Sequence, residues 1–346
     1  MWPQDLFFRH RALPGCFRLF SGFAREERVP RPCDRAALCL FIFLFLFFLV
    51  AQAPPACAAT YPLAPGQALV GETGSYVTRS EDTLLDVARR NDLGFGQLMV
   101  VNRDIDPWLP GADRTVTLPG AYLLPPGPRQ GIVIDLPAHR LFYFPPGGRT
   151  VETYPVGIGA EAGMTPRGTT KIVAKVVNPT WYPPKSIRKE RPELPGRVPP
   201  GPDNPLGKYV LKLGWPSYLI HDTNKPYGVG RNVSHGCIHL YPEDIKKLFA
   251  EVRVGTPVRV VDDPIRLTWV DGELYLALPP SHAQVDEMDE NQPLTPEVPQ
   301  QLHDRVVEAA GDQLDRIDWD KVSQVGEERP GMPVRITMES PPEILP

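Results

Sequence analysis

A mostly β fold is predicted for the central part of this 346-residue chain, on three observations. Short apolar runs recur between residues 131 and 261, most of them bounded by glycine or proline, and one clear helical stretch interrupts them. The 43 prolines are about twice the usual share, which favours stiff connections over helix. The length exceeds that of one ordinary core. It leaves room for a leader, a small α+β unit before the β domain, and a helical and strand-bearing extension after it.

At the N-terminus, Ala36 to Ala51 reads AALCLFIFLFLFFLVA, preceded by Arg25, Arg28, Arg31 and Arg35 and followed by Ala56-Cys57-Ala58-Ala59. This is the pattern of a secretory signal peptide with an extended n-region, over residues 1–58. Cleavage is favoured over an uncleaved anchor, because the run is short for a bilayer span and an A-x-A site follows it. Lipidation at Cys57 is disfavoured, since Pro54-Pro55-Ala56 lacks an aliphatic residue. The stretch before Arg25 is longer than a leader needs, so translation could start downstream of Met1. Loss of 1–58 removes seven arginines and four acids, taking the net charge from -4 to about -7; nucleic acid is a poor partner for such a chain. Four of the five cysteines (Cys16, Cys33, Cys39, Cys57) leave too. Cys237 then stands alone in an oxidising compartment, which rules out a disulfide staple and points to a free reactive thiol.

After a linker (59–74), residues 75–119 read as strand (Tyr76–Thr78), helix (Thr83–Arg90, opened by Asp82-Thr83), helix (Phe95–Asn102) and strand (Thr115–Leu118). This order resembles the LysM module, a small glycan-binding fold of bacterial walls; a packing subdomain without a ligand is the other reading. A second linker (120–130) leads to the main domain, 131–263. It opens with a hairpin, Gly131–Leu136 and Arg140–Phe144 around Pro137-Ala138-His139, and continues with runs at Val151–Val156, Thr169–Val177, Tyr209–Leu213, Tyr218–Ile220 and Thr256–Val261. Its helix starts at Pro242-Glu243-Asp244, residues favoured in a first turn, and runs to about Val252 with Ile245, Leu248 and Phe249 on one face. The proline-rich stretch 183–205 is too long for an ordinary connection and reads as a lid or as disordered. Lys185, Arg188, Lys189 and Arg191 would suit an acidic peptide beneath it. Trp181 and Tyr182 are expected in the core, and His139, His282 and His303 at the surface. The acidic extension, 264–346, shows a helical stretch from Leu302 to about Ile317 and a strand-like end, Pro333–Ile336, expected to pack on the main domain or cover its edge.

Three of the seven histidines gather around the one mature thiol, in Tyr218-Leu219-Ile220-His221-Asp222, Tyr227-Gly228-Val229-Gly230 and Ser234-His235-Gly236-Cys237-Ile238-His239. A cysteine attacks as thiolate, and a nearby imidazole and a helix N-terminus are the usual means of forming one. Gly236 would let the backbone turn so that N–H groups face a developing oxyanion.

The block from His221 through Ser234-His235-Gly236-Cys237 resembles the signature of the L,D-transpeptidase (YkuD-like) family, Gram-negative periplasmic type. The likeness extends over Thr165-Pro166-Arg167-Gly168, Asn178-Pro179-Thr180-Trp181, the stretch Pro199–Gly207 and the hairpin near Asp135. It implies a β-sandwich-like catalytic domain and a periplasmic acyltransferase needing no metal or other cofactor. By the resemblance, Cys237 would attack the carbonyl of the diamino acid in a tetrapeptide stem and expel D-alanine. His221 would be the base, and main-chain N–H groups at His235, Gly236 and Cys237 would hold the oxyanion. Substrate contacts would fall to His239, Ser234, Tyr227 and Asp222. Partners would be peptidoglycan stem peptides, with glycan strands and an outer-membrane lipoprotein as further candidates, no nucleic acid, and the membrane only through an uncleaved leader. The family usually has glycine where this chain has Asp222, and arginine where it has His239. Asp222 could orient His221 or serve its own loop, the second being favoured. His235 could equally fix the loop. Two rivals stand beside this reading: a zinc hydrolase with His221, His235, Cys237 and His239 as ligands, and an inactive wall-binding protein.

Overall fold

The computed structural model describes residues 59–160, 165–290 and 292–338. The expected leader, with Cys16, Cys33, Cys39 and Cys57, lies outside the described residues. A nine-stranded sheet organises the rest. In spatial order its strands are Thr60–Pro62, Thr150–Pro155, Arg140–Phe144, Gly131–Asp135, Pro257–Val261, Gly168–Val177, Tyr209–Leu213, Leu219–His221 and Ile238–His239. The expected β runs are all present, within a residue or two of their predicted ends.

The β-sandwich expectation needs a correction, because the two layers are halves of one curled sheet. Ten-residue Gly168–Val177 serves both: residues 168–171 pair with Pro257–Val260, whereas 172–177 pair with Tyr209–Leu213, and the register slips between Ile172 and Ala174. A bulge of this kind bends a strand and lets it turn a corner between layers. Laid flat, nine strands would span about 38 Å at roughly 4.8 Å each. Instead Gly157, just past the second strand, exchanges main-chain hydrogen bonds of 2.9 and 3.0 Å with His239 in the ninth. The helix Pro242–Glu251 closes the interior, burying Ile245 and Leu248 with Ile132, Ile134, Ile172, Leu211, Ile220 and Ile238. Each such side chain contributes about 1.5–3 kcal/mol by leaving water.

The hairpin at residues 131–144 is buried on both faces, which explains its unbroken apolar runs. Ile132, Ile134, Leu141 and Tyr143 face the interior, and alternation sends Val133, Phe142 and Phe144 to a second core. That second core belongs to the N-terminal module, whose strand Thr73–Val77, helices Leu84–Arg90 and Phe95–Val101, and strand Thr115–Pro119 follow the expected order. Thr83 caps the first helix by accepting from Asp86 N–H. Buried Arg140 ties module to sheet, donating at 2.8 Å to Asp92 Oδ2 and at 2.7 Å to Thr153 Oγ1.

Both presumed linkers hold strands. Thr60–Pro62 adds to the sheet edge against Thr150–Glu152, and Leu69–Val70 pairs with Tyr122–Leu123. Edge pairing is made by main-chain groups, so the side chains gave little sign of it. The C-terminal extension has a core of its own, where a hairpin (Arg266–Val270, Glu273–Ala277) and Val334–Arg335 carry Leu274 and Leu276 against Leu302, Val306, Val322 and Val325. The helical stretch expected from Leu302 to about Ile317 is present in two parts, an α-helix to Ala310 and a 3-10 helix Gly311–Arg316, divided where Gly311 takes φ 53°. Helices His282–Asp289 and Trp319–Glu328 were not foreseen.

Candidate active site

Strand pairing assembles the site. Leu219–His221 lies parallel to Ile238–His239, with Ile220 opposite Ile238 and His221 opposite His239. Both isoleucines point into the core, so alternation sends both histidines to the other face, their ring centroids 4.5 Å apart. Cys237 immediately precedes Ile238, at the entrance to this strand pair. Its half-buried thiol sits 3.7 Å from the Ser217 carbonyl, and the Leu219 N–H donates to the sulfur. Burial pushes the thiol's pKa up, against that single N–H.

Ser234 shapes the turn that presents the cysteine. Its buried hydroxyl donates to the Cys237 carbonyl at 2.6 Å and accepts from the Gly236 N–H at 3.0 Å. Gly236 takes φ 99°, a conformation that L side chains avoid. Thr165 Oγ1 donates to the Gly236 carbonyl at 3.1 Å and accepts from the Gly159 N–H. Two expectations change here: Ser234 is spent on the turn rather than facing a substrate, and the Gly236 N–H is bonded to it rather than open to an oxyanion.

His221 is buried, and its Nδ1 lies 2.5 Å from the main-chain carbonyl of Asp222. A carbonyl only accepts, so the proton resides on Nδ1 and the Nε2 lone pair is the basic one. Burial drives the His221 pKa down to about 4, despite the opposing hydrogen bond. His239 is pushed well below the usual imidazole range by burial and by its neighbour His221, so it is neutral and brings no cation to a substrate. The Asp222 carboxylate accepts from Lys208 N–H at 2.8 Å and Thr223 N–H at 2.7 Å. It serves its loop, and the group orienting His221 is the carbonyl of the same residue, which any side chain at 222 would supply.

The other sequence-picked residues lie further out. His235 Nε2 meets Glu190 Oε2 at 3.0 Å. Tyr227, 52% exposed, is on the 3-10 turn Pro226–Gly228. Its ring lines a cavity of about 250 Å³ together with Phe95, Trp108 and Tyr241. Among the described residues no three His, Cys, Asp or Glu side chains converge as metal ligands, so the four proposed zinc donors do not form a site in this arrangement.

The proline-rich stretch is ordered rather than disordered. It contains a short helix, Lys185–Glu190, and a two-way bridge between Trp181 and Val198, with hydrogen bonds of 2.9 and 2.8 Å. Fully buried Asn204 fastens its base, donating to the Pro179 carbonyl at 2.8 Å and accepting from the Leu206 N–H at 2.9 Å. Sequence reading passed over Asn204, although an asparagine before proline in such a stretch signals side-chain-to-backbone bonding. Trp181 is half-buried and Tyr182 66% exposed, against the core expectation. Conversely His139 is buried, with its Nε2 3.0 Å from Asn232 Oδ1.

Comparison with known proteins agrees with this geometry. Residues 129–260 match the model of the YkuD L,D-transpeptidase catalytic domain. The chain is 42% identical over 229 residues to "Probable L,D-transpeptidase YcfS" of Escherichia coli, an alignment covering 63% of this chain and 72% of that one. It is 37% identical to "Probable L,D-transpeptidase ErfK/SrfK" of Salmonella typhimurium (86% and 97% covered) and 36% identical to "Probable L,D-transpeptidase YbiS" of E. coli (85% and 97%). A likeness that runs the whole length of two relatives, and includes the strand pair and turn carrying Cys237, places the chain in the YkuD family of L,D-transpeptidases.

Proposed function

We propose that the chain is a peptidoglycan L,D-transpeptidase working through Cys237 and His221. The supporting observation is that Cys237 leads directly into the strand Ile238–His239, which lies parallel to the strand ending at His221, with the His221 Nδ1 proton committed to a carbonyl so that Nε2 is the base. The resting pair is a thiol beside a neutral imidazole, both ionisations being opposed by burial. Proton transfer therefore accompanies attack. Sγ bonds to the carbonyl carbon of the diamino acid while its proton passes to Nε2. The C–N bond to D-alanine then breaks, and the departing amine takes that proton. The resulting thioester is attacked by an amine, whose proton goes to Nε2 and on to the sulfur as the thiol is restored.

Asp222, one of two departures from the usual family pattern, has its side chain outside this machinery, which weakens the case for an inactive wall-binding protein. An exported, periplasmic location rests on the leader pattern. Among the described residues no helix is long and apolar enough to cross a membrane. Acceptors within reach of this chemistry are a second stem's side-chain amine and a lipoprotein's lysine.

Incubation with purified muropeptides tests the reading. Release of D-alanine with a new crosslink is expected, read by mass; release without a crosslink would make it a carboxypeptidase, and no release would remove the proposal.

The unit at residues 75–119 is proposed as a LysM-like glycan-binding module. Its Trp108, 54% exposed, borders the cavity shared with Tyr227, and Asp86 and Arg89 supply polar groups to the same cavity. Exposed aromatic faces beside hydrogen-bonding groups suit sugar rings, apolar on one face and hydroxylated at the rim. Trp108→Ala should lower retention on insoluble peptidoglycan about tenfold, roughly 1.4 kcal/mol. Retention equal to wild type in a co-sedimentation assay would argue for a packing role alone.

A further inference from the structure

We infer that the N-terminal module and the C-terminal helix His282–Asp289 jointly set the path of the chain leading to Cys237, with Gly230 and Asn232 as positioning residues. This rests on Cys237 being the nucleophile. The module's turn meets residues 229–230 backbone to backbone. Phe95 N–H donates to the Val229 carbonyl at 3.2 Å and Gly96 N–H to the Gly230 carbonyl at 3.4 Å. Neither side has room for a methyl group: a Cβ on Gly94 would lie 2.8 Å from Gly230 Cα, and one on Gly230, whose φ is 85°, would lie 2.5 Å from Phe95 N.

The next two residues are held from both flanks. The Arg231 guanidinium stacks 3.9 Å from the Phe95 ring centroid and pairs with Asp289 at the end of the C-terminal helix. Asn232 Oδ1 faces His139 Nε2, and Asn232 Nδ2 donates to Asp286 Oδ1 at 2.9 Å and to the His282 carbonyl at 3.0 Å. His282 Nε2 in turn donates to the Gly159 carbonyl at 3.1 Å, and Gly159 is the residue opposite Ser234. Asn232–Ser234 is the strand that delivers the turn, and Ser234 holds the Cys237 carbonyl. Every residue from 229 to 232 thus touches a segment outside the curled sheet, in addition to the bonds that Gly230, Arg231 and Asn232 make with Val156, Ile158 and His139 of the main domain. The nucleophile inherits its position from both extensions, and a shift of about 1 Å in this path would cost roughly 100-fold in a reaction that needs aimed attack.

The test uses the full chain and compares two reagents at Cys237 by mass. A carbapenem requires attack on a carbonyl with its oxyanion held, whereas iodoacetamide requires an accessible, deprotonated sulfur and no oxyanion pocket. Gly94→Ala and Asn232→Ala should each slow carbapenem acylation by about 10- to 100-fold while alkylation stays within about threefold of wild type. Gly74→Ala is the control within the same module, because a Cβ there would meet only ordinary contacts at 3.8 Å; both rates should be unchanged. Should Gly94→Ala or Asn232→Ala fail to fold, Asp286→Ala removes one partner of Asn232 from a half-exposed site and should shift the ratio of the two rates in the same direction. Acylation at the wild-type rate in a folded variant overturns the inference, and so does a parallel fall in both rates, which general loosening would give. Failure of the wild-type chain to acylate at all would instead count against the assignment of Cys237.

Discussion

Replacing Cys237 with alanine should abolish D-alanine release and thioester formation, lowering turnover by about 1,000-fold or more. Every bond change in the proposed cycle passes through Sγ, and the described residues contain no second thiol. Cys237→Ser separates nucleophilicity from shape. A hydroxyl is far harder to ionise than a thiol, and the assigned base, His221, is held to a pKa of about 4, too weak to take a proton from serine at useful rates. Serine should therefore be nearly as inactive as alanine while keeping the fold, as judged by an unchanged thermal transition. Muropeptide turnover and carbapenem adducts, both read by mass, give the result. Turnover within tenfold of wild type in Cys237→Ala would remove the thiol from the mechanism and revive a hydrolase using some other group.

Much of this was legible in the sequence, for identifiable reasons. Strands of alternating or unbroken apolar residues declare themselves by period, so Gly131–Asp135, Tyr209–Leu213 and Pro257–Val261 were found. The cysteine between histidines drew attention because it is the one thiol outside the expected leader, and an unpaired thiol is unusual in an exported chain. What escaped notice depends on long-range main-chain bonding. Thr60–Pro62 pairs with a strand about 90 residues later, and nothing in Thr-Tyr-Pro foretells it. The curl of the sheet rests on one bulge at Ile172–Ala174, in a run that reads as an ordinary strand. Asp222 shows the same limit at the site itself, because its functional atom is a backbone oxygen. Ser234 and His235 neighbour Cys237 in sequence, yet Ser234 bonds to the backbone of the turn and His235 to Glu190.

His221→Ala should reduce kcat/KM by about 100- to 10,000-fold, and the pH profile of the unmodified chain should identify His221 as the base. Only the neutral imidazole can accept the thiol proton. Burial lowers its pKa from the ordinary value of about 6.5 to about 4, so His221 is already competent at pH 5, and activity is lost as pH falls through about 4. An unperturbed imidazole would place that acid limb near 6.5. The thiol pKa is raised, so no gain from pre-formed thiolate is expected between pH 5 and 8, and kcat/KM should be flat across that range. A thiolate–imidazolium pair would behave differently: its rate would rise through a thiol pKa well below the ordinary value, and Cys237 would alkylate quickly at neutral pH. His239 is a poor substitute for His221 in the variant, although its ring is 4.5 Å away, because burial alone still opposes its protonation. An acid limb between pH 6 and 7 in wild type would contradict the neutral-pair mechanism. Its survival unchanged in His221→Ala would assign the base elsewhere.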